Sequence, residues 1–282
     1  MMSSNWITSK ENPIENLTRK LKAAEEAALK AGKYIIEALG QANYFETKTS
    51  VTDLVTEIDR RSEALIKEVL KESFPEDRMW GEEGGIEEPE SPIRAQADLW
   101  LIDPLDGTTN FVHGLPFFSV SLALQRDGEV VLGVVYDPLR QEKFYALKGW
   151  GCWLNEKRVQ VSVQNTLRES LVCTGFPYKG SLIEKSSQSI QRAAPKVRDV
   201  RSLGSAALEL AYVACGRLTA YWEWGLAPWD VAAGKILVEE AGGCVTTCSG
   251  EPFALDSPSI LATNGRIHTD IVRLLSEVPD SL

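Results

Sequence analysis

Residues 99–111 read Leu-Trp-Leu-Ile-Asp-Pro-Leu-Asp-Gly-Thr-Thr-Asn-Phe, and this stretch is the most informative in the chain. The apolar run 99–102 predicts a buried strand that delivers Asp103 at its C-terminal end. Asp106 emerges at the same rim. Two carboxylates this close repel each other, so both stay ionised only if a cation lies between them. Oxygen ligands of this kind suit magnesium, manganese or calcium better than zinc.

The residues after Asp106 favour a bound anion. Gly107 lets the backbone approach a ligand closely, and the amides of Gly107, Thr108 and Thr109 can face a phosphate if a helix begins there. An Asp-x-x-Asp pair alone is often solvated surface in a chain with 40 acidic residues. The whole string at a strand end is much more specific, and it indicates a metal and phosphate site.

Three further acidic positions are weaker signals. Glu82 lies in the glycine-rich segment 80–85, which is also consistent with a solvated loop. Asp230 stands at the start of a predicted helix, where an aspartate often only caps the helix. Asp59 has the same alternative at the start of another predicted helix.

The composition limits the possible classes of protein. The chain has 282 residues, of which 44% are hydrophobic and 25% charged, so it can bury a sizeable core and is neither disordered nor fibrous. Its net charge of −10 gives no general attraction to nucleic acid or anionic membranes, and repels an anionic substrate unless bound cations reverse the local field. Five cysteines without a CxxC pair predict reduced thiols. With neither a secretory signal nor a long apolar stretch, we predict a cytoplasmic protein with no membrane partner and no direct nucleic-acid binding.

The apolar periodicity predicts interleaved helices and strands. We predict helices over 14–39, 58–74, 205–215, 229–241 and 269–278, and strands over 99–102, 118–125, 129–136, 144–147 and 159–163 and near Val245 and Ile260. Segment 86–98 reads as a surface loop and 178–198 as a mobile connection. Because the strands include a hairpin, the expected class is α+β with mixed or antiparallel sheets. We expect one domain over 1–282, with sub-domains at about 14–165 and 166–279.

Together these segments resemble the inositol monophosphatase family. The family pattern Gly-Glu-Glu, then Asp-Pro-[Ile/Leu]-Asp-Gly-Thr-Thr-Asn-Phe, then Trp-Asp-x-Ala-[Ala/Gly] occurs here in the right order, and the resemblance extends over nearly the whole chain. It implies a layered αβαβα sandwich of the sugar-phosphatase type, a homodimer, two to three magnesium ions per site and inhibition by lithium.

The resemblance also implies ligands for each ion. Carried over by position, Glu82, Asp103 and the backbone carbonyl of Leu105 hold the first magnesium. Asp103, Asp106 and Asp230 hold the second, and Glu82 reaches a weaker third ion, whose surroundings Lys48 shapes. The implied catalytic residues are Glu82, Thr108 and Asp59, of which the last two orient and deprotonate a metal-bound water.

Substrate contacts are implied in the same way. The Gly107 and Thr108 amides grip the phosphate, and Glu223 accepts hydrogen bonds from substrate hydroxyls, with Asp230 beside it. The turn Gly204, Ser205 and Ala206 contacts the substrate, although many family members have threonine in place of Ser205.

The expected activity is hydrolysis of inositol 1-phosphate, or of a similar small polyol or sugar phosphate, to the free alcohol and phosphate. A metal-activated water attacks in line, without a phosphoenzyme. Fructose 1,6-bisphosphate, histidinol phosphate, galactose 1-phosphate and phosphoadenosine phosphate stay open as substrates. A bisphosphate would want extra cations near the leaving group, for which Arg201, Lys179 and Lys185 are candidates. Some bacterial members of the family are also partners of RNA polymerase, so an additional binding role stays open as well.

Overall fold

The structure is a computed structural model that describes residues 13–39, 45–47, 54–89, 97–177, 180–276 and 278. Its helices are α1 (Pro13–Ala38), α2 (Glu57–Ser73), α3 (Thr108–Val112), α4 (Gly180–Ala193), α5 (Ala206–Ala214), α6 (Pro228–Glu240) and α7 (His268–Ser276). None of the helices in these ranges is long and apolar enough to cross a bilayer. The five cysteines carry free thiols, in agreement with the prediction.

Two large sheets and one small hairpin organise the described strands. The hairpin pairs β1 (Phe45–Thr47) with β2 (Leu54–Thr56). An eight-stranded sheet contains β3 (Arg78–Gly81), β4 (Gly85–Glu87), β5 (Leu99–Asp106), β6 (Ser119–Arg126), β7 (Glu129–Asp137), β8 (Glu142–Leu147), β9 (Gly151–Leu154) and β10 (Lys157–Val159). Its spatial order is β10-β9-β8-β7-β6-β5-β3-β4, and only the β3–β5 pair is parallel.

A second sheet follows later in the chain. It contains β11 (Leu171–Thr174), β12 (Asp199–Arg201), β13 (Ala220–Trp224), β14 (Cys244–Thr246) and β15 (Ser259–Thr263), in the order β12-β11-β13-β15-β14. Strand β11 is parallel to both of its neighbours, whereas β15 is antiparallel to β13 and β14. Both sheets are therefore mixed, as predicted.

Five layers result, in the order helix, sheet, helix, sheet, helix. Helices α1 and α2 cover one face of the eight-stranded sheet, α5 and α6 lie between the two sheets, and α4 and α7 cover the outer face of the five-stranded sheet. Successive side chains of β5 point to opposite faces of the sheet, so this strand contributes to two hydrophobic cores. Trp100 and Ile102 pack under α1 and α2, while Leu101 packs against the layer of α5 and α6. This is the αβαβα sandwich that the resemblance implied.

The long periodic helices agree with the sequence predictions to within one or two residues, and the hairpin turn at 127–128 is also confirmed. The predicted strand at 99–102 extends through Asp106. The predicted strand at 159–163 is wrong beyond Val159, because the Val161 amide bonds to the Ala241 carbonyl at the end of α6. Segment 86–98 is not all loop, since β4 runs to Glu87, and residues 90–96 lie outside the described part.

The connection predicted at 178–198 is instead largely helix α4. Its fully buried side chains are those of Ser186, Ser189 and Ala193, and Leu182 is partly buried against the core of the five-stranded sheet, so the apolar stripe is short. The Ser189 hydroxyl is satisfied locally, since it donates to the Ser186 carbonyl and accepts from the Trp222 indole N–H at 2.9 Å. A helix whose buried side chains are mostly small or polar escapes a search for hydrophobic periodicity.

Candidate active site

A cavity of about 770 Å³ opens where the C-terminal ends of β5 and β13 meet the first turns of α5 and α6. Ten of the predicted site residues line it: Glu82, Asp103, Leu105, Asp106, Thr108, Gly204, Ser205, Ala206, Glu223 and Asp230. Arg60 is the only cationic side chain among the described residues that line it. Side chains separated by almost 150 positions of sequence thus share one acidic cavity.

An irregularity in β5 brings Asp103 and Asp106 to the same cavity. Residues three apart in a regular strand point to opposite faces. Here the pairing with β6 shifts between Asp103 and Asp106, and the intervening Pro104 has no N–H to give to the ladder. The Ser62 hydroxyl of α2 donates to the Pro104 carbonyl at 2.9 Å, and the Leu105 amide donates to Asp103 Oδ1 at 3.1 Å. Both carboxylates therefore reach the cavity.

Asp106 is held by the N-terminus of α5. Its carboxylate accepts hydrogen bonds from the Ala206 amide at 3.1 Å, the Ala207 amide at 2.8 Å and the Ser205 hydroxyl at 2.5 Å. Ser205 is the N-cap residue of α5, yet its side chain accepts no hydrogen bond from the helix amides. The Asp106 carboxylate, which belongs to β5, accepts from the first amides of α5 instead. Burial raises the pKa of Asp106, while these hydrogen bonds act to lower it.

Asp103 and Asp230 carry more electrostatic strain. Burial raises the pKa of Asp103 well above its ordinary value, and the charges of Glu82, Asp106 and Asp230 raise it further. Burial and Glu82 do the same for Asp230, which the Ala227 amide partly offsets with a bond of 2.7 Å at the start of α6. Four acidic groups are thus crowded together, and positive charge is what would relieve them.

The arrangement is open. Within the described ranges, no three acidic, histidine or cysteine side chains converge closely enough to form a ready-made cage for a metal ion. Asp103, Asp106 and Asp230 each turn instead toward their own amide donors. The donors are all oxygen atoms in a buried, anionic setting, and this set fits a hard divalent cation such as magnesium.

The part of the cavity that the five-stranded sheet forms is built on β13. Glu223 is buried, the Tyr221 hydroxyl donates to its Oε2, and burial raises the pKa of this carboxyl to about 7. Gly175 lies flat against it, and a Cβ atom there would come within 2.5 Å of Glu223 Oε1. A carboxyl group at this position is therefore fixed but ready to accept hydrogen bonds from a ligand's hydroxyl groups.

Sequence reasoning missed a second carboxyl group at this end. Glu209 of α5 lines the cavity, and its Oε1 accepts from the Cys173 thiol at 2.6 Å and the Leu203 amide at 2.8 Å. Its Oε2 is buried without a hydrogen-bond partner in the described part of the chain, and burial raises the pKa of this carboxyl to about 8. The available signal was a glutamate inside the otherwise apolar run 206–214.

The turn between β5 and α3 contains Gly107 and Thr108, whose amides are predicted to face a phosphate. Gly107 has a φ of 96°, and a Cβ atom there would lie 3.1 Å from the Phe117 carbonyl, so glycine is needed for both conformation and space. Helix α3 begins at Thr108, whose hydroxyl donates to the Leu105 carbonyl at 3.0 Å. Gly107 itself does not line the cavity, whereas Thr108 does.

The remaining predicted residues lie elsewhere. Asp59 is buried in the first turn of α2 and is not among the residues that line the cavity. Arg201 is half-exposed and pairs with Asp199 at 2.6 Å, and the Lys185 amine lies 5.6 Å from the centre of the Trp224 ring. Lys48 and Lys179 fall outside the described residues.

Comparisons with known proteins identify the family of the chain. The model of the inositol monophosphatase family matches residues 16–280. A Thermotoga maritima protein named fructose-1,6-bisphosphatase/inositol-1-monophosphatase is 41% identical over 253 residues, which are 90% of this chain and 94% of the relative. The Nus factor SuhB of Pseudomonas aeruginosa is 39% identical over 268 residues, covering 93% of this chain and 98% of the relative.

A solved structure shares the fold. The structure of Thermotoga maritima IMPase superimposes with a TM-score of 0.84 at 39% sequence identity, covering 92% of this chain and 97% of that one. Family match, identity over nearly full lengths, and shared fold lead to one conclusion: this chain belongs to the inositol monophosphatase family.

Proposed function

We propose that this chain is a magnesium-dependent phosphomonoesterase that hydrolyses inositol 1-phosphate or a similar small polyol or sugar phosphate. The observation that carries the proposal is the polarity of the cavity. Asp103, Asp106 and Asp230 lie together in one part of the cavity, here called the metal end, and the buried Glu223 lines the part formed by β13, here called the substrate end. A phosphate needs cations to enter the metal end, while a polyol offers hydroxyl donors to the substrate end.

Two to three magnesium ions would be held by Glu82, Asp103, Asp106, Asp230 and the Leu105 carbonyl. When bound, such ions neutralise the phosphate, make a coordinated water more acidic and stabilise the departing oxygen. The α5 amides hold the Asp106 carboxylate in place, so its remaining oxygen lone pairs would be available to a cation without a further loss of side-chain freedom.

Thr108 and Asp59 would manage the proton of the attacking water. The Thr108 hydroxyl donates to the Leu105 carbonyl, which leaves its oxygen lone pairs to accept from a water molecule. Asp59 would take up the proton, as the family resemblance implies, although it lies buried in the first turn of α2 and is not among the residues that line the cavity. Glu82 would share in this task as both ligand and orienting group.

At the substrate end, Glu223 would accept hydrogen bonds from ring hydroxyls. At the metal end, the Gly107 and Thr108 amides would bind the phosphate. Gly204 would approach the substrate directly. Because the Ser205 hydroxyl and the Ala206 amide already bond to Asp106, these two would serve the substrate mainly by orienting that carboxylate. Asp230 would stand between the metal end and the substrate end.

A turnover panel tests the proposal. We expect kcat/KM for inositol 1-phosphate to exceed that for fructose 1,6-bisphosphate and histidinol phosphate by about tenfold or more, since Arg201 is already paired with Asp199 and Lys185 with Trp224.

The metal dependence has its own test. Activity should vanish in EDTA, return with magnesium and fall with lithium. Undiminished turnover in EDTA would refute the metal dependence.

Glu223→Gln should raise KM by about tenfold for inositol 1-phosphate, with a smaller effect on an aryl phosphate that lacks hydroxyl groups.

A binding role beside catalysis is the second candidate, and it rests on the similarity to the Nus factor SuhB of Pseudomonas aeruginosa. Pull-down from lysate with wild type and Asp103→Asn separates the two roles: RNA polymerase retained by the inactive variant supports the second one.

We also propose a cytoplasmic homodimer, which light scattering of the purified protein tests. Direct nucleic-acid binding is not expected from an acidic chain, and a filter-binding assay checks it.

A further inference from the structure

A buried glutamate outside the cavity holds the turn that carries Glu82. Glu63 lies in the second turn of α2 with 4% of its surface exposed. Its Oε2 accepts from the Glu83 amide at 2.7 Å, and its Oε1 accepts from the Gly84 amide at 2.9 Å. Two successive backbone amides thus bind one carboxylate, an arrangement that fixes the conformation of a turn.

The glycines of this turn fit around that carboxylate. A Cβ atom on Gly81 would come within 2.5 Å of Glu63 Oε1, and one on Gly84 would come within 2.8 Å of the same atom. Neither glycine has a positive φ, so the requirement at both positions is for space. The Gly-Glu-Glu-Gly pattern is therefore shaped at both ends by the Glu63 side chain, which lies 18 residues before Gly81 and 21 residues before Gly84.

Charge also keeps Glu63 in place. The Lys67 amine lies 2.7 Å from Glu63 Oε1, and the two side chains are only 12% and 5% exposed. The same amine lies 3.7 Å from Glu87 in β4, which ties the helix to the far side of the turn. A buried carboxylate with one close cation and two amide donors meets the conditions for a stable buried charge.

Glu82 is thereby restrained from both directions. Its own amide donates to the Ile102 carbonyl of β5 at 3.1 Å, and the next two amides donate to Glu63. The preceding residue of α2, Ser62, holds the Pro104 carbonyl between Asp103 and Asp106. Helix α2 thus supports both acidic segments of the metal end.

We propose that Glu63 is a positioning residue that fixes Glu82 for metal binding. The inference rests on the proposed function, because it takes Glu82 as a metal ligand. It assigns Glu63 no contact with the substrate or the ion. Its loss should therefore weaken the capture of the ion more than it slows the chemistry once the site is filled.

The experiment compares Glu63→Gln with wild type and with Glu68→Gln, which changes an exposed glutamate of the same helix. Titration of the metal-free proteins with Mn2+ and Mg2+ by calorimetry should show affinity about 10- to 100-fold weaker in Glu63→Gln only. The magnesium concentration for half-maximal activity should rise equally, while kcat at saturating magnesium stays within about threefold. Amide exchange of Glu83 and Gly84 should be faster.

A second variant guards against a general loss of folding. Gly84→Ala keeps Glu63 but pushes its carboxylate aside, and it should weaken ion binding in the same direction, while Glu63→Asp should fall between wild type and Glu63→Gln. Equal ion affinity in wild type, Glu63→Gln and Gly84→Ala would overturn the inference. Absence of ion binding by wild type would instead refute the proposed function, so the two failures are distinguishable.

Discussion

Asp103 and Asp106 stand three residues apart in β5, reach the same cavity and are both buried, yet their surroundings differ. Asp106 receives two amides of α5 and the Ser205 hydroxyl, whereas Asp103 receives the Leu105 amide and faces Glu82 and Asp230. Burial raises the pKa of both, but only Asp103 is pushed well above its ordinary value. Hydrogen-bond donors, not depth, therefore account for the smaller rise in the pKa of Asp106, and on the proposed function both carboxylates are ligands for a cation.

The largest effect is expected from Asp103→Asn. Removing the ligand that two ions share should lower kcat by about a thousandfold or more, and stability without metal should not suffer. In EDTA at pH 8 we expect a gain of about 1 kcal/mol in the free energy of unfolding, since a repelling charge is gone. Steady-state assays and urea unfolding measure the two. More than a few percent of wild-type turnover at saturating magnesium would contradict the site assignment.

Asp106→Ala should behave in the opposite way in the stability assay. It leaves the first amides of α5 without an acceptor in a buried place, so we expect a loss of about 2–3 kcal/mol in the free energy of unfolding in EDTA. The variant should also be inactive, which makes Asp103→Asn its matched control. Equal stability changes in the two variants would remove the distinction between these carboxylates.

A pH series sharpens the comparison with a third buried carboxyl group. Burial raises the pKa of Glu209 from 4.5 to about 8, so the folded chain keeps a proton that the unfolded chain has lost. Stability from this group is full below pH 4.5 and falls as pH rises toward 8. Relative to Glu209→Gln, wild type should lose up to about 1.4 kcal/mol per pH unit in this window. Urea unfolding in EDTA measures this, and parallel pH profiles would contradict it.

The smallest effects separate the donors of Asp106 from each other. The Ser205 hydroxyl lies 2.5 Å from Asp106 Oδ2 and the Ser119 hydroxyl 3.3 Å from the same atom. Ser205→Ala should therefore cost about 1–2 kcal/mol of unfolding free energy and Ser119→Ala about 0.5 kcal/mol or less. Urea unfolding of both variants tests this order, and a larger loss in Ser119→Ala would reverse it.

The sequence was sufficient where information is local. The string 99–111 indicated both a strand and the two carboxylates, because a buried apolar run and its terminal residues are adjacent in the chain. The family resemblance, rather than periodicity, supplied the five-layer order. Helix α4 was hidden because its buried side chains are mostly small or polar.

The supporting residues were beyond sequence reasoning for a different reason. Glu63 bonds to amides twenty and twenty-one positions away, and Glu209 accepts from a thiol thirty-six positions away. Neither partner is marked by a local pattern, and an amide leaves no trace in a sequence. Only the packing of α2 on the β3–β4 turn and of α5 on β11 reveals what these glutamates do.

The two ends of the cavity draw mainly on different sheets. Asp103 and Asp106 come from β5 of the eight-stranded sheet and Glu82 from the turn after β3, whereas Glu223 and Gly175 come from the five-stranded sheet and its loops; Asp230 is contributed by α6 between the sheets. On the proposed function, the residues that hydrolyse the phosphate ester and those that select the alcohol lie mainly on separate structural elements. Descendants of one ancestor can diversify in the alcohols they accept by varying β13 and its flanking loops. The bond-breaking apparatus on the other side of the crevice need not change.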